Sequence, residues 1–305
     1  MNDDRSQYPK VSVIVPTLNA PEATRQCLTA LVQQTYPHNQ YEIIVVDNGS
    51  SEATIKVIEQ FKVTLLSQTE TKSPYPSRNL GIRQSTGEII ALIDANCIPE
   101  QNWLERGVQS LIAQQADLVG GKVVFTFSPQ KTGAEIYDSL HNVQMEDNIK
   151  NDGMAKTANL FIYRYVFDKA GFFSKNIRSG GDVIWTSLAV AVGYKLKYSE
   201  EAIIYKSARK LNPLLRKQVR VGKGQPNIWQ QDGEGYGKIF FRILVTYGKS
   251  LFFLAPNIAK LSRRFQKRNI PQRFLLKTFF AGWLAVLATN TGRVIGLVNS
   301  QSVRK

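Results

Sequence analysis

Cysteine and histidine are scarce in this chain of 305 residues, and acidic residues are missing from Lys238 onward. Two cysteines, Cys27 and Cys97, cannot build a disulfide scaffold, so a reducing compartment is expected. Two histidines, His38 and His141, have no partners at metal-ligand spacing and read as structural. No Gly-x-Gly-x-x-Gly or Walker-type loop follows any strand-like run, which argues against a nicotinamide dehydrogenase or a P-loop enzyme. Long apolar runs are also absent. Beyond Lys238, the longest uncharged stretch, Thr278 to Gly292, has 15 residues. At 1.5 Å per residue it spans about 22 Å, short of a bilayer core of roughly 30 Å. A polytopic transporter is therefore excluded. The segment from Met1 to Lys10 is polar, with no apolar run behind a basic start, so no cleaved signal peptide is expected.

What is present is ample apolar material and an uneven charge. Hydrophobic residues make up 43% of the chain, enough for a large core. The formal net charge is +15. Thirteen of the 39 basic residues, and none of the 24 acidic ones, lie between Lys238 and Lys305, so the rest is nearly neutral. A cationic tail on a neutral body suggests an anionic surface as partner.

Three short β-branched runs punctuate the first third: Val11–Val15, Glu42–Val46 and Glu88–Ile93. Each has the pattern of a strand buried on both faces. Helix-like stretches at about 21–34, 51–60 and 76–86 lie between or beside them, which predicts an α/β fold with an open, mostly parallel, twisted sheet and flanking helices. The three strands end in Pro16-Thr17-Leu18-Asn19, Asp47-Asn48-Gly49-Ser50-Ser51 and Asp94-Ala95-Asn96-Cys97. Ligands of such sheets bind beyond the carboxyl ends of the strands, so acids, amides and hydroxyls would share one crevice. Farther on, strands are expected at Asp117–Phe127, Lys156–Arg164, Lys195–Tyr198 and Ala202–Tyr205. Helices are expected at 134–147 and 183–192.

Glycines and a proline from Gly222 to Gly237 predict a flexible junction. A domain of residues 1–225 would carry the site, and residues 226–305 would form a basic, apolar helical extension. Phe240, Phe241, Phe252, Phe253, Leu254, Phe279, Phe280 and Trp283 lie among its Lys and Arg residues. Aromatics beside cations fit an interfacial membrane helix. Attachment to an anionic membrane surface through 238–298 is expected. Nucleic acid is not, because it would leave the apolar surface unused. A short spanning helix and soluble packing stay open.

Val13-Ile14-Val15-Pro16-Thr17-Leu18-Asn19, Val45-Val46-Asp47-Asn48-Gly49-Ser50 and Ser77-Arg78-Asn79-Leu80-Gly81 resemble the family 2 glycosyltransferases. Glu88–Asn96 and Gly180-Gly181-Asp182-Val183-Ile184-Trp185 continue the resemblance over about 10–225, in order. It implies an A-type glycosyltransferase fold, a nucleotide-diphosphate sugar donor, Mg²⁺ or Mn²⁺, and inversion of the anomeric centre. It places Thr17 and Asp47 at the base and ribose, Pro16, Asn19, Asn48 and Arg78 at the donor, and Asp94, Ala95 and Asn96 on the Asp-x-Asp motif. Asp182 matches the general base that takes the acceptor's proton. Asn159, Gly181 and Trp185 are expected on the acceptor side.

Two positions depart from the pattern. The second acid of Asp-x-Asp is Asn96, and Lys206 stands where the family often has a histidine. Both changes weaken a metal site held by Asp94 and Asn96. Lys206 is expected to replace the metal in part and to meet the leaving diphosphate directly. The bland alternatives are that Asp47 only shapes a turn, Asp182 only caps a helix and Lys206 is only solvated.

The reading is a single-sugar transferase of polysaccharide or cell-envelope assembly. It would work peripherally at the cytoplasmic face of the membrane, on a glycan or lipid-linked acceptor. The chain has no Gln-x-x-Arg-Trp signature, which argues against a processive synthase. A degenerate partner subunit and a nucleotidyltransferase are the rivals.

Overall fold

The computed structural model describes residues 8–71, 73–177, 179–231, 233–252 and 255–302. Two compact units result: one of residues up to Phe125 plus Val143–Ser207, the other of Thr126–Asn142 plus Ala208 onward.

The first unit begins with β1 (Val11–Thr17), α1 (Pro21–Val32), β2 (Tyr41–Asp47), α2 (Glu52–Ile58), β3 (Thr64–Ser67), α3 (Pro74–Gln84) and β4 (Ile89–Ile93). It continues with β5 (Cys97–Pro99), α4 (Trp103–Ala113) and β6 (Leu118–Thr126). Between Thr126 and Val143 the chain forms α5 (Gly133–His141), which belongs to the second unit. The first unit then resumes with α6 (Met145–Asp152), β7 (Asn159–Tyr163), α7 (Val166–Ala170), α8 (Gly181–Ala191) and β8 (Leu196–Ser207).

The sheet runs β3-β2-β1-β4-β7-β6-β8-β5. It is parallel through β3, β2, β1 and β4, and the β-branched runs of β1, β2 and β4 are buried on both faces. Antiparallel pairings join β4 to β7, β7 to β6, and β8 to β5. Strands β1, β2 and β4 fall where the three apolar runs predict them. Gly81 brings α3 against β1, since a Cβ there would lie 2.6 Å from a methyl of Ile14. That close approach sets the start of α3 beside the loop after β4.

Several expectations are corrected. The helix expected at 134–147 is two helices, because Val143 takes a left-handed φ of 45° between α5 and α6. The two short strands expected at 195–205 are one, β8. The junction expected near Gly222 is helical: α9 (Leu211–Gln231) runs through Gly222, Gly224 and Pro226, and the expected boundary at 225/226 falls inside it.

The second unit adds α10 (Tyr236–Phe252), α11 (Ala255–Lys267), a 3₁₀ turn at Gln272–Phe274 and α12 (Leu275–Ser302) to α5 and α9. Leu214 of α9 packs with Ala134 of α5 and with Ala281 and Ala285 of α12. Ile136 and Leu140 pack with Leu261 and Phe265 of α11. Buried Asp138 accepts from Arg209 at 3.2 Å and lies 3.9 Å from Lys217. Three glycines form a seam between α9 and α12. A Cβ on Gly222 would lie 2.1 Å from the Thr289 carbonyl, and one on Gly292 or Gly296 would lie 2.3 Å from those of Val219 and Lys223.

By length and composition, the stretch Gln272–Asn299 could cross a membrane, and 28% of its most apolar part is buried in the protein. A count of uncharged residues misses this, because Arg273, Lys277 and Arg293 lie near the ends of the helix. Phe240, Phe241, Leu244, Leu276, Phe280 and Val298 are each more than half exposed. Phe253, Leu254 and the side chain of Phe252 lie outside the described residues.

Candidate functional site

The loops after β1, β2 and β4, the start of α3, the start of α8 and the end of β8 carry the candidate site. In the loop after β2, both Asp47 oxygens accept backbone N–H groups, from Gly49 at 3.0 Å and Ser50 at 3.1 Å. Asn19 clamps that loop to the end of β1: its Oδ1 accepts from Ser51 N, and its own N donates to Ser50 Oγ, both at 2.8 Å. Thr17 shares a hydrogen bond of 2.9 Å with Thr24, and Pro16 lies in β1 opposite Val46. Asn48 donates from Nδ2 to the Ser73 carbonyl at 2.8 Å, while its buried Oδ1 has no partner among the described residues. Asp47, Asn19 and Thr17 thus shape the floor. Asn48 keeps an acceptor to offer.

Asp94 follows β4 and receives two cations. Arg78 Nη2 donates to Oδ1 at 2.8 Å, and Lys206 Nζ donates to Oδ2 at 3.3 Å. Arg78 is 4% exposed, Lys206 2% and Asp94 33%, so the carboxylate faces solvent from between buried charges. The pairing of β5 with β8 explains the second contact. Cys97 is the cross-strand partner of Lys206, which sets the ammonium beside residues 94–97. Lys206 also donates to Asn96 Oδ1 and, at 3.2 Å, to Cys97 Sγ. Burial pushes the Cys97 thiol above its ordinary pKa, which suits an inert, protonated neighbour. Arg78 Nε is buried and has no partner among the described residues. Ala95 is buried between these residues.

Asp182 sits in the first turn of α8, one residue after Gly181 and two after Gly180, whose φ of 85° turns the chain into the helix. Tyr75 donates its hydroxyl to Asp182 Oδ1 at 3.2 Å. Burial, then the Asp182 charge, push the Tyr75 pKa upward, so it remains a donor. Its ring lies 5.6 Å from the Arg78 guanidinium carbon, and a Cβ on Gly181 would lie 2.9 Å from that ring. Tyr75 therefore joins the α3 cation to the α8 carboxylate. Sequence reasoning missed it. Its spacing of three from Arg78, one helical turn, was the available signal.

Two expected acceptor-side residues are structural. Asn159 is fully buried, and its amide accepts from Trp103 Nε1 and donates to the carbonyls of Lys122 and Ala202. Both its donors and one of its acceptor positions are thus spent on the sheet and α4. Trp185 is 3% exposed, stacks on Phe167 and donates to the Gly171 carbonyl.

Residues 12–174 match the family described as Glycosyl transferase family 2. The chain belongs to glycosyl transferase family 2. Over 305 aligned positions, covering 97% of this chain and 99% of the relative, it is 38% identical to Glycosyltransferase AglE of Haloferax volcanii. Poly(ribitol-phosphate) beta-N-acetylglucosaminyltransferase TarS of Staphylococcus aureus is 29% identical over 40% of this chain and 27% of its own length. A mannosyltransferase of Pyrobaculum calidifontis, solved with GDP-Man and Mn²⁺, superposes with a TM-score of 0.62. It shares 17% identity over 94% of this chain and 88% of that one. That likeness shows the A-type glycosyltransferase fold. As a family 2 member, the protein is a nucleotide-sugar glycosyltransferase, and membership implies a glycan acceptor.

The donor set fits a tightly held divalent ion poorly. Among the described residues, no group of three or more His, Cys, Asp and Glu side chains could hold one. Asp94 and Asn96, the expected ligands, already accept from cations, and an ammonium stands where a third ligand would be needed.

Proposed function

We propose that this family 2 enzyme transfers one sugar, with inversion, from a nucleotide-diphosphate sugar to an acceptor hydroxyl. The convergence of buried Arg78 and Lys206 on Asp94 carries the reading, because it builds a fixed cationic pocket beside the carboxylate Asp182. The diphosphate would lie against Arg78 and Lys206, whose charge offsets the negative charge gained as the bond from C1 to the β-phosphate oxygen breaks. On the opposite face of C1, the acceptor oxygen forms the new bond while its proton passes to Asp182. Asp47, Asn48 and Thr17 would meet the base and ribose. Lys206 supplies the charge a metal would otherwise bring, so no step is assigned to Mg²⁺ or Mn²⁺.

The acceptor would be a polymer-borne or lipid-linked glycan in cell-envelope assembly. Relatives named for poly(ribitol-phosphate) and for a dolichyl N-acetylglucosaminyl phosphate support that class. Attachment at the cytoplasmic membrane surface through 238–298 is supported by exposed Phe240, Phe241 and Phe280 on helices rich in Lys and Arg. Co-sedimentation with anionic but not neutral vesicles, weakened by salt, is the expected result. Equal binding to both would remove that part of the reading.

Calorimetric titration with UDP, GDP and dTDP, each with Mn²⁺ and with chelator, tests the donor site. Binding of one nucleotide that survives chelator is expected. Binding only with Mn²⁺ would show that Lys206 does not replace the ion. No binding in any condition would overturn the donor site.

A further inference from the structure

The second unit holds a cavity of about 260 Å³ between α5, α10, α11 and α12. We propose that this cavity binds the phosphate head of an anionic amphiphile, with its apolar chain leaving along α12. The inference stands apart from the donor site, because every residue of the cavity lies in the second unit.

Polarity divides the lining. Leu261, Phe279, Trp283 and Val286 supply an apolar wall. Lys260 and Arg264 supply two cations, and no acidic residue lines the cavity. Most of the remaining polar groups are engaged. Trp283 Nε1 donates to the Ser250 carbonyl at 2.9 Å, and Ser250 Oγ donates to the Tyr247 carbonyl at 2.7 Å. His141 Nδ1 lies 3.0 Å from the Tyr137 carbonyl, which can only accept. Nδ1 therefore carries the proton, and Nε2 accepts from Arg264 Nη1. A neutral histidine thus holds the guanidinium by one nitrogen and leaves the rest of its fork for an oxyanion.

Thr278 is the independent observation. It lines the cavity and is fully buried, yet its Oγ1 has no hydrogen-bond partner among the described residues. A buried hydroxyl without a partner costs about 1–3 kcal/mol. A phosphate oxygen between Thr278 and the two cations would accept from all three.

The apolar wall argues for more than a bare anion. Val286 lines the cavity and is also 40% exposed, so the way out is apolar. The volume is below the roughly 300–1,000 Å³ of sites for drug-sized ligands, which suits a headgroup and the first few carbons only.

A diazirine-bearing dodecyl phosphate, photolysed with the full chain in neutral detergent, tests this. Label is expected in the peptides holding Lys260–Arg264 and Thr278–Val286. Dodecyl phosphate should displace it at about tenfold lower concentration than inorganic phosphate, and Arg264→Gln and Thr278→Val should each weaken binding about fivefold or more. Label confined to other peptides, or equal displacement by dodecyl maltoside, would overturn the proposal. So would inorganic phosphate acting as well as the amphiphile, or variants that bind like the parent chain. Should a variant fail to fold, the position of the label on the unaltered chain still decides.

Discussion

Lys206 and Asp94 stand 112 positions apart in sequence and 3.3 Å apart in the folded protein. The contact crosses from the last strand of the sheet to the loop after β4, and it exists because β5 pairs with β8 in the register that faces Cys97 with Lys206. A buried ammonium needs a compensating anion, and a leaving diphosphate would share that role with Asp94.

Removing the ammonium should therefore slow chemistry. Lys206→Ala is expected to lower kcat by about 10²–10³, the scale of losing one preorganised donor to developing charge. The pair Lys206→His with Asn96→Asp should make activity sensitive to chelator. Steady-state rates with and without chelator check both, and identical insensitivity in parent and double variant would sink the metal-replacement idea.

Asp182→Asn should reduce transfer by about 10²–10⁴ while nucleotide affinity stays near that of the parent chain. Tyr75→Phe keeps the ring beside Arg78 and removes only the hydrogen bond to Asp182, so kcat should fall about tenfold with an unchanged donor KM. A rise in donor KM without a fall in kcat would instead place Tyr75 at the donor.

The β1, β2 and β4 segments were legible because buried parallel strands leave continuous β-branched runs, and their loops carry the residue types that a crevice needs. Lys206 was legible only as a departure from a family pattern. Its contact with Asp94 was not, because cross-strand register depends on tertiary pairing that no local pattern encodes. Asn159 was misplaced because an amide at the end of a strand suits an acceptor contact and a buried hydrogen-bond knot equally well. Only burial and the Trp103, Lys122 and Ala202 partners separate the two. The glycines near 222 misled because glycine marks flexibility in isolation, whereas α9 runs through Gly222 and Gly224, and the missing side chain of Gly222 admits the backbone of α12.

Asn159→Ala should act on stability. It leaves the Trp103 N–H and the Lys122 and Ala202 carbonyls without their partner, a loss of about 3 kcal/mol or more. Denaturant melts should show the loss, while the acceptor KM of the remaining folded enzyme stays unchanged. A large KM effect at normal stability would restore the acceptor-side assignment.

His141 gives the protein a pH-dependent term. The packing around its ring, then the charges of Arg264, Lys260 and Arg268, push its pKa down from 6.5 to about 4. A depressed histidine favours the neutral form on folding, so its contribution is complete above about pH 6.5 and is lost as pH falls toward 4. Glu42 and Glu135 are also depressed, and their contributions fade only below the ordinary carboxylate range. Melting temperature should therefore drop between pH 6.5 and 5, and His141→Asn should flatten that drop. An unchanged slope in the variant would assign the effect to other groups.

Gly292→Val places a branched side chain where the Val219 carbonyl already stands. Overpacking of this kind costs about 1–3 kcal/mol. The loss should appear as an earlier unfolding transition, with nucleotide affinity preserved. Full stability in the variant would mean that the two helices part readily.

The glycine seam also limits what a bilayer can do with α12. With backbone touching backbone at three successive turns, α12 travels with α9, and α9 brings Arg216, Lys217, Arg220 and Lys223. Pulling that pair through hydrocarbon would bury cations at about 2.5–3.5 kcal/mol each, whereas unzipping it would bare the seam. A bilayer would then meet a two-helix raft with a greasy side and a charged side, the shape that the proposed attachment at the interface requires.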